Sequence, residues 1–217
     1  MTDLYPDIYN EPDPIDADTL ANLGPLAALA GIWEGDKGLD LHPESYGPLS
    51  EPYRERYELQ PIDPQTNGPQ LFYGLRYHTF IRRPNEVKAF HDQVGFWLWE
   101  PATGAIIHSL SIPRGQTALA GGQASVDARK FSVRAERGSA QFGILSNPFL
   151  DRAFKTLSFD MTVIVHDDGD WSYQQDTLLQ IEGKDAPFHH TDRNRLRRVA
   201  GPTLNPLWLD EQAVKGA

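Results

Sequence analysis

The sequence predicts an all-β chain that closes into one up-and-down antiparallel barrel of about ten strands, with a short N-terminal helix and an apolar lid segment. Three observations predict it. Gly31-Ile32-Trp33-Glu34-Gly35 sets a bulky aromatic at the opening of a first strand. From Trp33 onward the dominant hydrophobic period is two, the period of strands. Near the other end, Arg193-Asn194-Arg195-Leu196-Arg197-Arg198 reads as a basic closing strand. Together the two ends mark a seam: Trp33 plugs one end of the barrel and an arginine of the last strand lies over its indole, a contact of roughly 0.5–2 kcal/mol. The plainer alternative is that Trp33 is a core aromatic and nothing more.

Composition bounds the class. The 217 residues suit one barrel domain, with 40% hydrophobic and 23% charged residues. A formal net charge of −10 argues against nucleic acid or an anionic membrane surface as partner. The absence of cysteine removes disulfides, thiolate catalysis and thiolate metal sites. No apolar run approaches the ~20 residues of a membrane helix. The Met1–Asp7 stretch is acidic where a signal peptide is basic. A soluble, cytoplasmic protein is expected.

Residues 1–18, with Asp3, Asp7, Asp13 and Asp16 among Pro6, Pro12 and Pro14, form an extension draped over the surface. The barrel domain is expected over 19–200. Asp18 or Thr19 caps a short helix in which Leu20, Leu23, Leu26 and Leu29 recur at helical spacing, and Gly24-Pro25 breaks it early. That leaves one or two turns covering the barrel bottom.

The strands follow in order. Tyr53 to Leu59 alternates aromatic with charged residues. The turn-rich loop Pro61 to Pro69 carries Asn67-Gly68, a hairpin signal, and Leu71 to Phe80 returns. Gln93 to Trp99 turns at Pro101 to Gly104 into Ala105 to Ile112. Thr117 to Ala120, Ser125 to Ala128 and Lys130 to Ala135 are shorter candidates, separated by Gly121-Gly122 and a polar turn. Gln141 to Phe154 breaks the period; Ser146 or Asn147 caps a helical turn with Pro148 at its first position, so this apolar segment reads as a lid over the barrel mouth, or as a loop on its exterior. Thr156 to Val165 and Trp171 to Glu182 pair across His166–Asp170, and His190 to Val199 is the final strand. Residues 201–217 form a tail, with Leu204, Leu207, Trp208 and Leu209 docking back on the barrel or on a partner. The tail or an apolar outer strand offers a homodimer contact.

No nucleotide-binding glycine motif or nucleophile elbow is present. Histidine is then the informative residue. His78, His91 and His108 lie in or beside central strands, and His189-His190 opens the last; each has a structural reading as a hydrogen-bonded histidine. Alternation puts His189, Thr191, Arg193, Arg195 and Arg197 on one face and His190, Asp192, Asn194 and Leu196 on the other. Three arginines prefer water, so His190 points inward, unless a bulge exchanges the roles. An inward neutral imidazole suits a single axial bond to iron; equally, His190 and Asp192 satisfy one another.

Gly31-Ile32-Trp33-Glu34-Gly35, the Tyr53-Arg54-Glu55 strand, His91 to Trp97 with Pro101, Ile112-Pro113-Arg114-Gly115 followed by Gly121, and a histidine followed by Leu196-Arg197-Arg198-Val199 together resemble the nitrobindin family. The likeness spans residues 26–199. It implies a closed barrel similar to lipocalins and fatty-acid-binding proteins, and a heme b held through a histidine near the last strand. The implied cofactor residues are His190, His189, His91, His108 and Trp97, with His190 the metal ligand; here His190 stands one residue further from Leu196 than the family's axial histidine usually stands. The implied activity is isomerisation of peroxynitrite to nitrate on ferric heme, or other nitric oxide chemistry. A second expectation, from another class, is a non-heme binding protein for a small apolar or amphipathic ligand, its polar head anchored by His91, His108 and His190. A third is an enzyme acting on such a ligand within the cavity.

Overall fold

Strand β1 (Gly31–Glu44) begins at the predicted seam, and its Trp33 stands beside Arg198 of the last strand, β12 (Phe188–Ala200). The Arg198 guanidinium lies 4.7 Å from the centre of the Trp33 ring. The computed structural model describes residues 7–216. Between these strands run β2 (Gly47–Pro61), β3 (Gln65–Asn67), β4 (Gln70–Arg82), β5 (Ala89–Glu100), β6 (Ala105–Ile112), β7 (Gln116–Gln123), β8 (Lys130–Glu136), β9 (Ile144–Ser146), β10 (Phe154–Val165) and β11 (Trp171–Ile181). All neighbouring pairs are antiparallel. The order β2-β1-β12-β11-β10-β8-β7-β6-β5-β4 closes on itself because β2 also pairs with β4. Ten strands make the wall, as the two-residue period predicts; β3 is a small hairpin arm on β4 and β9 an extra strand on β7. Closure leaves the wall no free edge for another chain to add to.

One end of the barrel is solid. Asp18 caps α1 (Thr19–Asn22) by accepting from the Ala21 amide at 3.1 Å, and the chain continues as a 3-10 helix over Gly24–Leu29. Leu23, Leu26 and Leu29 are fully buried under this cover. Trp33 donates from Nε1 to the Leu29 carbonyl at 2.8 Å and meets Trp171 edge-on at 6.1 Å. Tyr57, Trp97, Phe131, Val163 and Leu196 complete the plug. The other end stays open, and both polar and apolar side chains line it.

Two local expectations are corrected. Ser125 to Ala128 is a turn closed by the Ala128 amide on the Ser125 carbonyl at 3.0 Å, and Gly121-Gly122 lie inside β7 rather than ending it. The glycines serve close approach: a Cβ on Gly121 would stand 2.3 Å from the Phe142 ring, and one on Gly122 2.0 Å from the Ser132 carbonyl oxygen. The tail, including α3 (Pro206–Lys215), returns to the barrel through a polar residue. Buried Asn205 donates to the Ala17 carbonyl at 2.9 Å and to Asp63 at 2.8 Å, while Leu204, Leu207 and Leu209 stay exposed. Of the N-terminal extension, residues 1–6 lie outside the described residues; 7–18 contain neither helix nor strand. No helix among the described residues is long and apolar enough to cross a membrane.

Candidate functional site

The open end holds a cavity of about 530 Å³, within the range of small-molecule sites. Its wall is divided by chemistry. Ile81, Phe90, Ile112, Met161 and Leu179 supply apolar surface, and the segment after β9 adds Phe149, Leu150 and Phe154 at the mouth. That segment forms α2 (Pro148–Ala153), started by Asn147, whose side-chain oxygen accepts from the Phe149 and Leu150 amides at 2.8 and 3.1 Å. Pro148 at the first helical position needs no such partner.

The polar part of the wall centres on Asp40. Its two oxygens accept separately, from His190 Nε2 at 2.9 Å and from His42 Nδ1 at 3.0 Å. Asp192 lies on the same side, its Oδ2 3.7 Å from His190 Nε2 and accepting from Gln175 at 3.2 Å. Asp40 points inward because β1 slips register between Gly35 and Gly38, so that Trp33 and Gly35 before the bulge, and Gly38 and Asp40 after it, all face in. Deeper, Glu55 accepts from Thr79 at 3.0 Å, Tyr173 at 2.8 Å and Asn194 at 3.0 Å, so its carboxylate is buried but satisfied.

These contacts set the charges. Burial pushes the Glu55 carboxyl above the usual range, against its three hydrogen bonds. Burial also pushes Asp192 up to about 7; His190 opposes the rise, and the nearby charges of Asp40 and Glu55 add to it. For His190, burial works to lower the pKa, but the hydrogen bond from its ring to Asp40 and the charges of Asp192 and Asp40 outweigh it and hold the imidazole above its ordinary value. His91 is lowered, first by burial and then by the charges of Arg114 and His190, with its bond to Gln93 opposing.

The five residues singled out from the sequence separate. His190 and His91 both line the cavity. His189 points outward and pairs with Asp176 at 2.7 Å, because β12 alternates without a bulge through this stretch. His108 and Trp97 sit in the plug below the cavity, stacked at 4.0 Å between ring centres and fully enclosed. His108 is held neutral by burial, which lowers its pKa to about 3. A hydrogen-bonded chain still joins it to the cavity: His91 to Gln93 at 3.2 Å, Gln93 to the Tyr77 hydroxyl at 2.7 Å, and that hydroxyl to His108 Nε2 at 3.0 Å. Sequence reasoning missed Asp40, Glu55 and His42. Strict alternation in β2 places Glu55 with Tyr53 and Tyr57, a signal that was available.

The model of the THAP4-like, heme-binding beta-barrel domain matches residues 22–198. The chain belongs to that family. Membership in this heme-binding barrel family accords with the resemblance read from the motifs. Among solved structures, Rv2717c from M. tuberculosis aligns with a TM-score of 0.57 at 22% sequence identity, over 83% of this chain and 96% of that one, which shows a shared fold. No curated protein sequence matches the chain.

The residues present fit a heme on the chemistry of their donors. His190 gives one ring nitrogen to a carboxylate, the arrangement by which metal-bound histidines are oriented and made more basic, and its other nitrogen has no partner among the described residues. Apolar side chains of the same cavity suit the macrocycle, and Arg83 and Arg114 are cations among the lining residues.

Proposed function

We propose that this barrel binds heme in its open-end cavity, with His190 as the axial ligand. The observation that carries the reading is the Asp40-oriented imidazole of His190 in the cavity of a barrel whose family binds heme. In this reading Asp40 fixes the ring, as His42 on its second oxygen fixes Asp40. Phe149, Leu150 and Phe154 cover the apolar body and exclude water at the mouth. Bound as heme b, the group would supply a redox-active iron for nitric oxide or peroxynitrite, and isomerisation of peroxynitrite to nitrate is the activity the family resemblance implies. Titration of apo protein with hemin tests it: a saturable Soret shift near one equivalent is expected, lost in His190→Ala and kept in His189→Ala. Uptake by His190→Ala equal to wild type would refute the ligand assignment.

A second reading is favoured by the charged side of the wall. An amphipathic ligand without iron would lay its body along Ile81, Ile112 and Leu179 and its polar head among His91, His190 and Asp192. Saturable binding of a fluorescent fatty-acid analogue, with no Soret shift from hemin, would select it.

A further inference from the structure

We infer that Asp40, His190 and Asp192 form a divalent transition-metal site in their own right, on the wall of the cavity and without a porphyrin. One donor atom from each lies within 4.8 Å of the other two. The distances are informative. Metal–nitrogen and metal–oxygen bonds of 2.0–2.2 Å, opened at tetrahedral to octahedral angles, set neighbouring donors roughly 3–3.5 Å apart. His190 Nε2 stands 2.9 Å from Asp40 Oδ1 and 3.7 Å from Asp192 Oδ2, on either side of that spacing.

A second observation points to a cation. Asp192 Oδ1 has no hydrogen-bond partner among the described residues, although the side chain is only 14% exposed and lines the cavity. Of the two arginines among the lining residues, Arg83 is paired with Glu51 at 2.9 Å and Arg114 donates to the Phe90 carbonyl, so neither bonds Asp192. Asp40, Asp192 and Glu55 line the cavity together with His42, His91 and His190.

One imidazole with two carboxylates is a borderline donor set, suited to Zn²⁺, Co²⁺, Mn²⁺ or Fe²⁺ rather than to a soft ion. Three protein ligands leave at least one position open to water or to a ligand entering from the mouth, as in sites where a metal acts on a substrate. On binding, His190 Nε2 gives up the proton it shares with Asp40, and the ion takes that place between the two side chains. His42, bound to the second oxygen of Asp40, keeps that carboxylate in position. The inference does not rest on heme binding; it needs Asp192, which the heme reading does not.

Titration of metal-free protein with Co²⁺, followed by visible absorption, tests it. Ligand-field bands should grow to saturation near one equivalent and Zn²⁺ should displace them. Asp192→Asn, which retains an acceptor for Gln175, should weaken Co²⁺ binding by at least about tenfold, the lower end of what even a ligand's outer partner costs, while its far-UV circular dichroism stays that of the folded barrel. Equal Co²⁺ affinity in Asp192→Asn, or no saturable bands in wild type, would overturn the site and leave the heme reading standing. Should a variant fail to fold, ¹⁵N-imidazole NMR of wild type with Zn²⁺ decides: the His190 signal must move while exposed His189 stays, and an unmoved His190 refutes the proposal.

Discussion

Replacing His108 by Phe should make the barrel more resistant to acid. His108 is fully enclosed, with Trp97 stacked on one face and Phe159 at 6.0 Å, and its Nδ1 has no partner. Burial lowers its pKa to about 3, against an ordinary value of 6.5. Between those values the unfolded chain holds a proton on this ring that the folded chain does not, so stability present above pH 6.5 is lost as pH falls toward 3. At about 1.4 kcal/mol per unit, the loss from this one group reaches about 2 kcal/mol at pH 5 and about 3 kcal/mol at pH 4. Phenylalanine keeps the stack and cannot titrate. It gives up the bond to Tyr77, worth about 1 kcal/mol, but that hydroxyl still accepts from Gln93 and donates to the Ser109 carbonyl, and the orphaned Nδ1 disappears. Near pH 7 the two proteins should therefore be similar in stability. Urea unfolding of apo protein at pH 7, 6, 5 and 4 should show His108→Phe overtaking wild type by a margin that widens with each unit. A difference that stays constant from pH 7 to 5 would show that His108 is not held neutral by its burial.

Other perturbations probe the wall and the mouth. Arg198→Ala should lower stability by about 0.5–1 kcal/mol through loss of its contact with Trp33, read from the urea midpoint, with ligand binding unchanged. Gly121→Val should cost about 1–3 kcal/mol, because its side chain must displace the Phe142 ring, and Phe142→Ala in the same chain should recover part of that loss in thermal melts. Asn147→Ala removes the acceptor for two amides of α2 and should destabilise that helix by about 1 kcal/mol; stopped-flow release of a bound probe should quicken while the melting temperature of the barrel barely moves.

The barrel was legible because its signals are local and periodic. Trp33 with Arg198, the alternation of β12 and the Asn147-Pro148 helix start each depend on residues whose spacing is fixed by the chain itself. Alternation alone brought His190 to the inside and His189 to the outside, and the register of β11 on β12, unbroken from Trp171 to Leu179, preserves that assignment. His108 failed in a different way. Its face is the inward one, as the period of β6 requires, yet its height along the barrel puts it in the plug rather than on the cavity wall. Height is set by the stagger of all ten strands around the closure, which no single segment carries.

Asp40 was hidden for a sharper reason. A strand's faces exchange with every single-residue slip, and the bulge between Gly35 and Gly38 is such a slip, so parity counted from Trp33 sends Asp40 to the outside. The same irregularity appears where β1 meets β12, between Glu34 and Leu39, and beyond it the register resumes with Asp40 directly opposite Asp192. The bulge thus sets two carboxylates across from one another and within reach of His190, where a regular strand would have turned Asp40 to solvent. Deleting one residue at Asp36-Lys37 removes the extra residue of the bulge, so regular alternation should resume with Gly38 still opposite Tyr53 and Asp40 still inward beside His190. His190 should then keep its raised pKa in NMR. A fall to its ordinary value after the deletion would show that the bulge itself, and not the inward parity of Asp40, holds the carboxylate against the ring.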